Sequence, residues 1–165
     1  MSGGDDTGSV KIWHTREASG ITLDREQRWW HDGEPVEHPN IIEAFNRGMR
    51  VTDDGRYKIE FGNDWCFVEV QGAAFKVMLL DVGEGDRLSV RLSDRTAEWL
   101  RVETLALDED GVLTCAVKGG KARARFSREA QFTLGEHLVR DGQGMRLVVG
   151  ANSWPVPAAA WPPEA

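Results

Sequence analysis

The stretch GEPVEHPNIIEAFNRGMRVTDDG, residues 33–55, is the one around which the rest of the chain is built. Its landmarks recur later in the same order and at one constant offset, because Gly33, Asn40, Phe45, Gly48, Asp54 and Gly55 correspond to Gly120, Ser127, Phe132, Gly135, Asp141 and Gly142. Each copy predicts a tight turn, a strand, a capped helix and a second turn that leads into a strand. Internal repetition of this kind indicates a duplicated architecture. The predicted fold class is therefore α+β, with two similar halves that each pack antiparallel strands on one short helix.

The first copy begins with a hairpin, since Asp32-Gly33 is a strong type I′ turn signal. Strand alternation then predicts Trp30 and Pro35 on one face, and the opposite face carries Trp29, His31, Val36 and His38. A helix is expected to start at Pro39-Asn40, with Glu43 completing the elements of a capping box.

The second copy carries a clearer hairpin, with Gly119-Gly120 as its turn. The predicted inner face is apolar and consists of Leu113, Cys115, Val117, Ala122, Ala124 and Phe126. The opposite face is cationic and consists of Lys118, Lys121, Arg123 and Arg125. Ser127 is the expected helix cap. Phe132 falls on the side of this helix opposite Leu134, so the two helices do not align residue by residue.

The predicted organisation follows from these elements. Residues 1–9 are expected to form a disordered N-terminus, 10–82 the first α+β unit, 83–86 the connection, 87–157 the second α+β unit and 158–165 a loose tail. Residues 93–101 are predicted to be a loop, with a short helix through Trp99 as the alternative. Four tryptophans are expected to fill the small core and the seam between the halves, namely Trp30, Trp65, Trp99 and Trp154.

Composition narrows the possible functions. A net charge of −7 argues against nucleic-acid and anionic-membrane binding. No segment approaches the roughly 20 apolar residues that span a bilayer, and the N-terminus lacks a signal-peptide pattern. The two cysteines, Cys66 and Cys115, lie far apart and are expected to be reduced core residues. A cytoplasmic location is the simplest expectation.

The pattern Trp-x-x-x-Gly-x-Pro-Val, followed by a helix and then Asp-Asp-Gly-x-Tyr, resembles DUF1285, a bacterial family of unknown function. The resemblance covers residues 21–156, and its second half corresponds to residues 122–154. It implies a duplicated α+β architecture and a role in signal transduction, and it carries no catalytic residue. Where the family pattern would place Thr-Pro after the Tyr57 strand, this chain has residues 60–63, Glu-Phe-Gly-Asn.

Two groups of residues are candidate ligand-binding sites. The first is Trp29 with His31 and His38, since two imidazoles beside an indole could bind an aromatic ligand or a metal. The hairpin register separates the two histidines and supplies no third ligand, so a metal site is not predicted. The second group is the cationic face of Lys118, Lys121, Arg123 and Arg125, which suits a small anionic ligand or an acidic protein partner. The alternative for this face is a solvated surface balanced by neighbouring acids.

The sequence contains no complete phosphate-binding loop and no nucleophile motif, and it indicates no cofactor. The leading hypothesis is a non-enzymatic cytoplasmic module that binds a ligand or a partner, with any pocket between the halves. One alternative is an enzyme that uses His31 or His38. A second alternative is an anion or nucleic-acid binder that uses the cationic face.

Overall fold

The computed structural model describes residues 15–160. The predicted disordered N-terminus, the beginning of the 10–82 unit and residues 161–165 of the predicted tail lie outside the described residues. The chain divides into two compact units, Met1–Gly72 and Ala73–Ala165.

The first unit is one six-stranded sheet with one helix. Its elements are β1 Ile21–Leu23, β2 Trp29–His31, β3 Glu34–Pro35, α1 Pro39–Gly48, β4 Met49–Val51, β5 Tyr57–Phe61 and β6 Asp64–Val70. The strand order is β3-β2-β1-β6-β5-β4. Neighbouring strands are antiparallel except β1 and β6, whose parallel pairing joins the hairpin half of the sheet to the β4–β6 meander. Helix α1 packs on β5.

Local sequence explains the shape of this unit. Asp32 and Gly33 both take positive φ, 51° and 83°, as a type I′ turn requires, and Trp30 lies opposite Pro35 as predicted. Helix α1 starts at Pro39, within the expected Pro39-Asn40 start, with the His38 side chain as its N-cap and Pro39 in its first turn. The helix ends at Gly48, where a Cβ would overlap the backbone oxygen of Glu60.

The second unit contains a six-stranded sheet and a separate three-stranded sheet. Its strands and helix are β7 Phe75–Val82, β8 Leu88–Leu92, β9 Ala97–Trp99, β10 Ala106–Leu107, β11 Leu113–Val117, β12 Ala122–Phe126, α2 Arg128–Gly135, β13 Leu138–Asp141, β14 Gly144–Val149 and β15 Asn152–Pro155. The larger sheet has the order β10-β11-β12-β7-β8-β9, with β12 and β7 parallel, and β13-β14-β15 form the smaller sheet. Short 3₁₀ turns lie at Glu84–Asp86, Val102–Thr104, Lys118–Gly120 and Ala158–Ala160.

The hairpin of the second copy matches its predicted pattern. All six residues of the apolar face are buried, and Cys115 pairs with Ala124 across the two strands. Ser127 caps α2, since its hydroxyl oxygen accepts a hydrogen bond from the Ala130 N–H at 3.1 Å. Phe132 is 71% exposed, whereas Leu134 is fully buried. The two helices therefore bury different positions of the repeat, as predicted.

The duplicated α+β fold is confirmed, and its two copies differ in one respect. In each copy a hairpin, a helix and a three-stranded meander follow one another, as β2-β3-α1-β4-β5-β6 and as β11-β12-α2-β13-β14-β15. In the first copy the meander shares a sheet with the hairpin. In the second copy the hairpin shares its sheet with β7–β9, through the pairing of β7 with β12, and the meander forms a sheet of its own.

The predicted loop at residues 93–101 is wrong in its second half, which forms β9. Asp94 starts a tight turn by accepting a hydrogen bond from the Thr96 N–H at 3.1 Å, and Arg95 takes a φ of 72°. The chain thereby reverses and pairs Ala97–Trp99 with β8. The polar residues that suggested a loop form the hairpin turn itself.

Candidate functional site

The structure separates the first predicted group of site residues. Trp29 is 2% exposed and packs edge-on against Phe45 at 5.1 Å, and its Nε1 donates a hydrogen bond to Asn46 Oδ1 at 2.9 Å. The His38 Nδ1 accepts a hydrogen bond from the Asn40 N–H at 3.2 Å and so caps α1. His31 lies at the end of β2, with Nε2 3.5 Å from Asp32 Oδ2. Trp29 is thus a core residue, and it shares no open face with His38.

Two of the four residues of the predicted cationic face, Lys118 and Arg125, form ion pairs with carboxylates of their own unit. Lys118 Nζ donates hydrogen bonds to Asp94 Oδ2 at 2.6 Å and to Thr96 Oγ1 at 2.8 Å. Arg123 donates hydrogen bonds to the Thr104 carbonyl oxygen at 2.9 Å and to the Thr114 hydroxyl oxygen at 2.6 Å. Lys121 is exposed. This arrangement corresponds to the alternative in which neighbouring groups balance the face.

Arg125 and Asp108 form a second ion pair of this face. Arg125 Nε lies 2.8 Å from Asp108 Oδ2, and its Nη2 lies 3.3 Å from Asp110. Burial raises the pKa of Asp108, but hydrogen bonds from Arg125, Val112 and Asp110 outweigh that effect, and the net pKa lies below its usual value. The turn at Asp108 therefore holds a structural anion.

The two cysteines are free, fully buried thiols, as predicted. Burial raises the pKa of Cys66 to about 11 and that of Cys115 to about 12. Both therefore stay protonated at neutral pH and are poor nucleophiles. Among residues 15–160 no three His, Cys, Asp or Glu side chains converge on a metal-sized site. No helix in the same range is long and apolar enough to cross a membrane.

A cleft of about 250 Å³ lies within the second unit. Two tryptophans and two arginines are among its lining residues, which are Arg87, Leu88, Trp99, Leu100, Arg101, Val102, Glu103 and Trp154. Indole rings supply flat apolar surfaces, and guanidinium groups supply fixed positive charge with several N–H donors. Their combination makes this cleft the candidate functional site.

The β8–β9 hairpin and its flanking turn position one wall of the cleft. Trp99, the last residue of β9, pairs with Ser89 and remains 40% exposed. A Cβ on Gly83 would lie 2.6 Å from the Trp99 ring, so the absence of a side chain at Gly83 lets the indole rest on the backbone. The Arg87 guanidinium lies 4.3 Å from the centroid of the same ring, in the range of a cation–π contact.

The opposite wall comes from the small sheet. Trp154 on β15 pairs with Leu147 of β14, whose side chain is fully buried. The Asn152 side-chain amide donates a hydrogen bond to the Gly85 carbonyl oxygen, which ties the start of β15 to the turn before β8. Strand β15 is thus held by its pairing with β14 and by the Asn152 hydrogen bond at its start.

Arg101 supplies the second positive charge. Its Nε lies 3.7 Å from Glu103 Oε1, and both side chains are largely exposed. Exposed pairs of this length contribute little and leave the guanidinium able to bind another anion. In this respect Arg101 differs from Lys118, which bonds to a buried carboxylate.

The cleft residues were not predicted as a site, since Trp99 and Trp154 were assigned to the core and the seam. Trp99 lies in the cleft and is 40% exposed, and Trp154 is half-buried. A usable signal was present in Trp99-Leu100-Arg101, because residues two apart on an extended segment project to the same side. The contribution of Trp154 depends on tertiary packing and has no local signature.

The fold defines the class as a duplicated α+β protein, and this one carries a small aromatic and cationic cleft in its second unit. Solved structures of two DUF1285 family proteins have this fold. The protein from Silicibacter pomeroyi DSS-3 superposes with a TM-score of 0.62 at 16% identity, over 89% of this chain and 85% of that one. The protein from Shewanella baltica OS155 gives 0.51 at 15% identity, over 71% of this chain and 91% of that one.

These likenesses confirm the predicted resemblance at the level of the fold. At such low identity they assign no activity and no site residue. No known family model matches the chain, and no curated protein matches it in sequence. The function is therefore argued from the cleft.

Proposed function

We propose that this chain is a non-enzymatic cytoplasmic module that binds a small anionic ligand in the cleft of its second unit. The observation that carries the proposal is the convergence of Arg87 and Arg101 with two indole rings around one concave space. Concave sites with apolar walls and a few convergent polar groups are the usual form of ligand sites. A role in signal transduction, which the family resemblance implies, belongs to the same proposal.

Charge supports an anion as the ligand. The chain carries a net charge of −7, yet two arginines line this cleft beside one acid, Glu103. Arg87 contacts an aromatic ring, and Arg101 has the weak exposed pair described above. A charge-assisted hydrogen bond to a ligand carboxylate or phosphate contributes about 1.5–3 kcal/mol, so each arginine is worth roughly a tenfold change in affinity or more. Anion binding by Lys118, Lys121, Arg123 and Arg125 stays a prediction.

The experiment is an NMR titration that follows the indole N–H signals of the purified chain with acetate, benzoate and inorganic phosphate. We expect saturable shifts of the Trp99 and Trp154 signals, with the Trp29 signal as an internal reference in the core. The Arg87→Gln/Arg101→Gln double variant should lose the shifts. Arg91→Gln, which removes an exposed arginine of β8 outside the cleft, should keep them.

Two results would refute the proposal. One is the absence of any saturable shift at Trp99 and Trp154 with every anion tested. The other is an undiminished affinity in the double arginine variant, which would place binding elsewhere.

A further inference from the structure

The size of the cleft suits a ligand with a single ring. An apolar cavity of about 150 Å³ is large enough to bind benzene. The cleft holds about 250 Å³, which leaves room for one acidic group beyond such a ring. Sites for drug-sized molecules begin at about 300 Å³, so a nucleotide or a peptide would extend out of this cleft.

The walls of the cleft favour a flat ligand. Trp99 packs against the backbone of Gly83, the residue that follows β7. This contact restricts the position of the indole in the unliganded protein. Trp154 is held in a strand whose start is tied to Gly85. Aromatic rings pack favourably on one another in offset or edge-on geometry, and an immobilised wall lowers the entropy cost of binding.

The arginines favour a carboxylate on that ring. Guanidinium groups are planar and present paired N–H donors that match both oxygens of a carboxylate. Arg87 already lies against the face of Trp99 at 4.3 Å, so an acid bound to it stays next to the aromatic wall. A planar aromatic acid holds its carboxylate in the plane of its ring, so the acid can meet a guanidinium while the ring packs edge-on or offset against an indole of the lining.

We infer that the ligand of this cleft is a single-ring aromatic carboxylate. The inference rests on the proposed anion-binding function and narrows it to one chemical class. In this inference Trp99 and Trp154 contact the ring of the ligand, and Arg87 and Arg101 bind its carboxylate.

Three probes of similar size separate the contribution of the aromatic ring from that of the carboxylate. Benzoate has the ring and the charge, cyclohexanecarboxylate has the charge on a non-planar ring, and benzamide has the planar ring without the charge. We expect benzoate to bind at least tenfold more tightly than either of the others, measured by shifts of the Trp99 and Trp154 indole signals.

Matched variants then locate the contributions. Trp99→Leu keeps an apolar wall but removes the plane, and it should weaken benzoate binding at least fivefold while changing cyclohexanecarboxylate binding less than twofold. Trp65→Leu is the control, because Trp65 lies in the first unit, where it contacts Arg16 and Lys58. Gly83→Ala provides a second variant should Trp99→Leu fail to fold, since the added methyl displaces the Trp99 ring without removing it. It too should selectively weaken benzoate binding.

The outcomes distinguish this inference from the function on which it rests. Equal binding of benzoate and cyclohexanecarboxylate would overturn the aromatic class and leave anion binding intact. Equal binding of benzoate and benzamide would overturn the requirement for a carboxylate. Failure of all the acids and of inorganic phosphate to shift either indole would overturn the proposed function itself.

Discussion

Replacing Lys118 with Met tests whether its ammonium group is a structural element of the second unit. Lys118 Nζ donates hydrogen bonds to Asp94 Oδ2 at 2.6 Å and to Thr96 Oγ1 at 2.8 Å, and it lies 5.0 Å from the Phe75 ring centroid. Asp94 is 7% exposed. Residue 118 has a φ of 56°, a strain that Lys and Met share, so the substitution removes the charge without a new backbone cost.

The expected loss follows from the contacts. Hydrogen bonds to charged groups contribute about 1.5–3 kcal/mol each; Asp94 Oδ1 keeps two bonds from Thr96, whereas Oδ2 loses its bond from Lys118. We expect Lys118→Met to lower the free energy of unfolding by about 2 kcal/mol, or about 4–8 °C in Tm for a chain of this size. Lys121→Met, at an exposed lysine beside the same turn, should cost at most about 1 kcal/mol.

The pH dependence gives an independent check. Burial raises the pKa of Asp94, but hydrogen bonds from Lys118 and Thr96 outweigh it and hold the folded pKa below 3.8. A carboxyl with a depressed folded pKa contributes stability above its unfolded pKa and loses it as the pH falls through the folded value. The stability gap between wild type and Lys118→Met should therefore be constant near neutral pH and narrow below about pH 4.

Urea denaturation at several pH values, followed by circular dichroism, measures this gap. A Lys118→Met variant within about 0.5 kcal/mol of wild type at pH 7 would show that the pair is a surface contact of little value. A gap that stays constant below pH 4 would show that Asp94 is not the partner responsible.

Three further predictions concern the scaffold. Phe132→Ala should change the free energy of unfolding by less than about 0.5 kcal/mol, whereas Phe45→Ala should cost about 3–5 kcal/mol, because Phe132 is 71% exposed and Phe45 is fully buried; thermal melts compare the two. Both cysteine thiols, whose pKa burial raises, should resist a thiol reagent in the folded chain and react at once in urea, as absorbance would report. Gly48→Ala should cost about 1–3 kcal/mol or more, because its methyl would overlap the Glu60 backbone oxygen, and a lower urea midpoint is the expected sign.

Local chemistry made much of the fold predictable. Asp32-Gly33 specified a type I′ turn and the register of Trp30 with Pro35, and alternation specified the buried face of the β11–β12 hairpin. Pairings between distant segments were not predictable in this way. The parallel pairing of β1 with β6, and that of β7 with β12, join strands far apart in sequence, and no local pattern encodes such a partner.

The candidate site was less accessible to sequence reasoning than the fold. Alternation placed Lys118 and Arg125 on the outer face of the hairpin. It reports which face a residue occupies, but not which acid lies opposite that residue. Asp94 and Asp108 come from other turns of the same unit and pair with these cations. Trp29 is the opposite case, a predicted site residue that is buried. The alternation pattern does not tell whether its indole lies on the buried or the exposed face of the hairpin.

The position of the cleft follows from the way the second copy departs from the first. Phe67 on β6 and Trp154 on β15 occupy equivalent positions under the repeat offset. Phe67 is half-buried and packs within its own unit, against Trp65 at 5.2 Å and beneath the Arg56 guanidinium at 3.3 Å. In the second copy the corresponding strand belongs to a separate sheet, so Trp154 faces a cleft that β8, β9 and the following turn complete. The shared landmarks thus specify the scaffold, and the segment that the second copy gains supplies Arg87, Trp99 and Arg101.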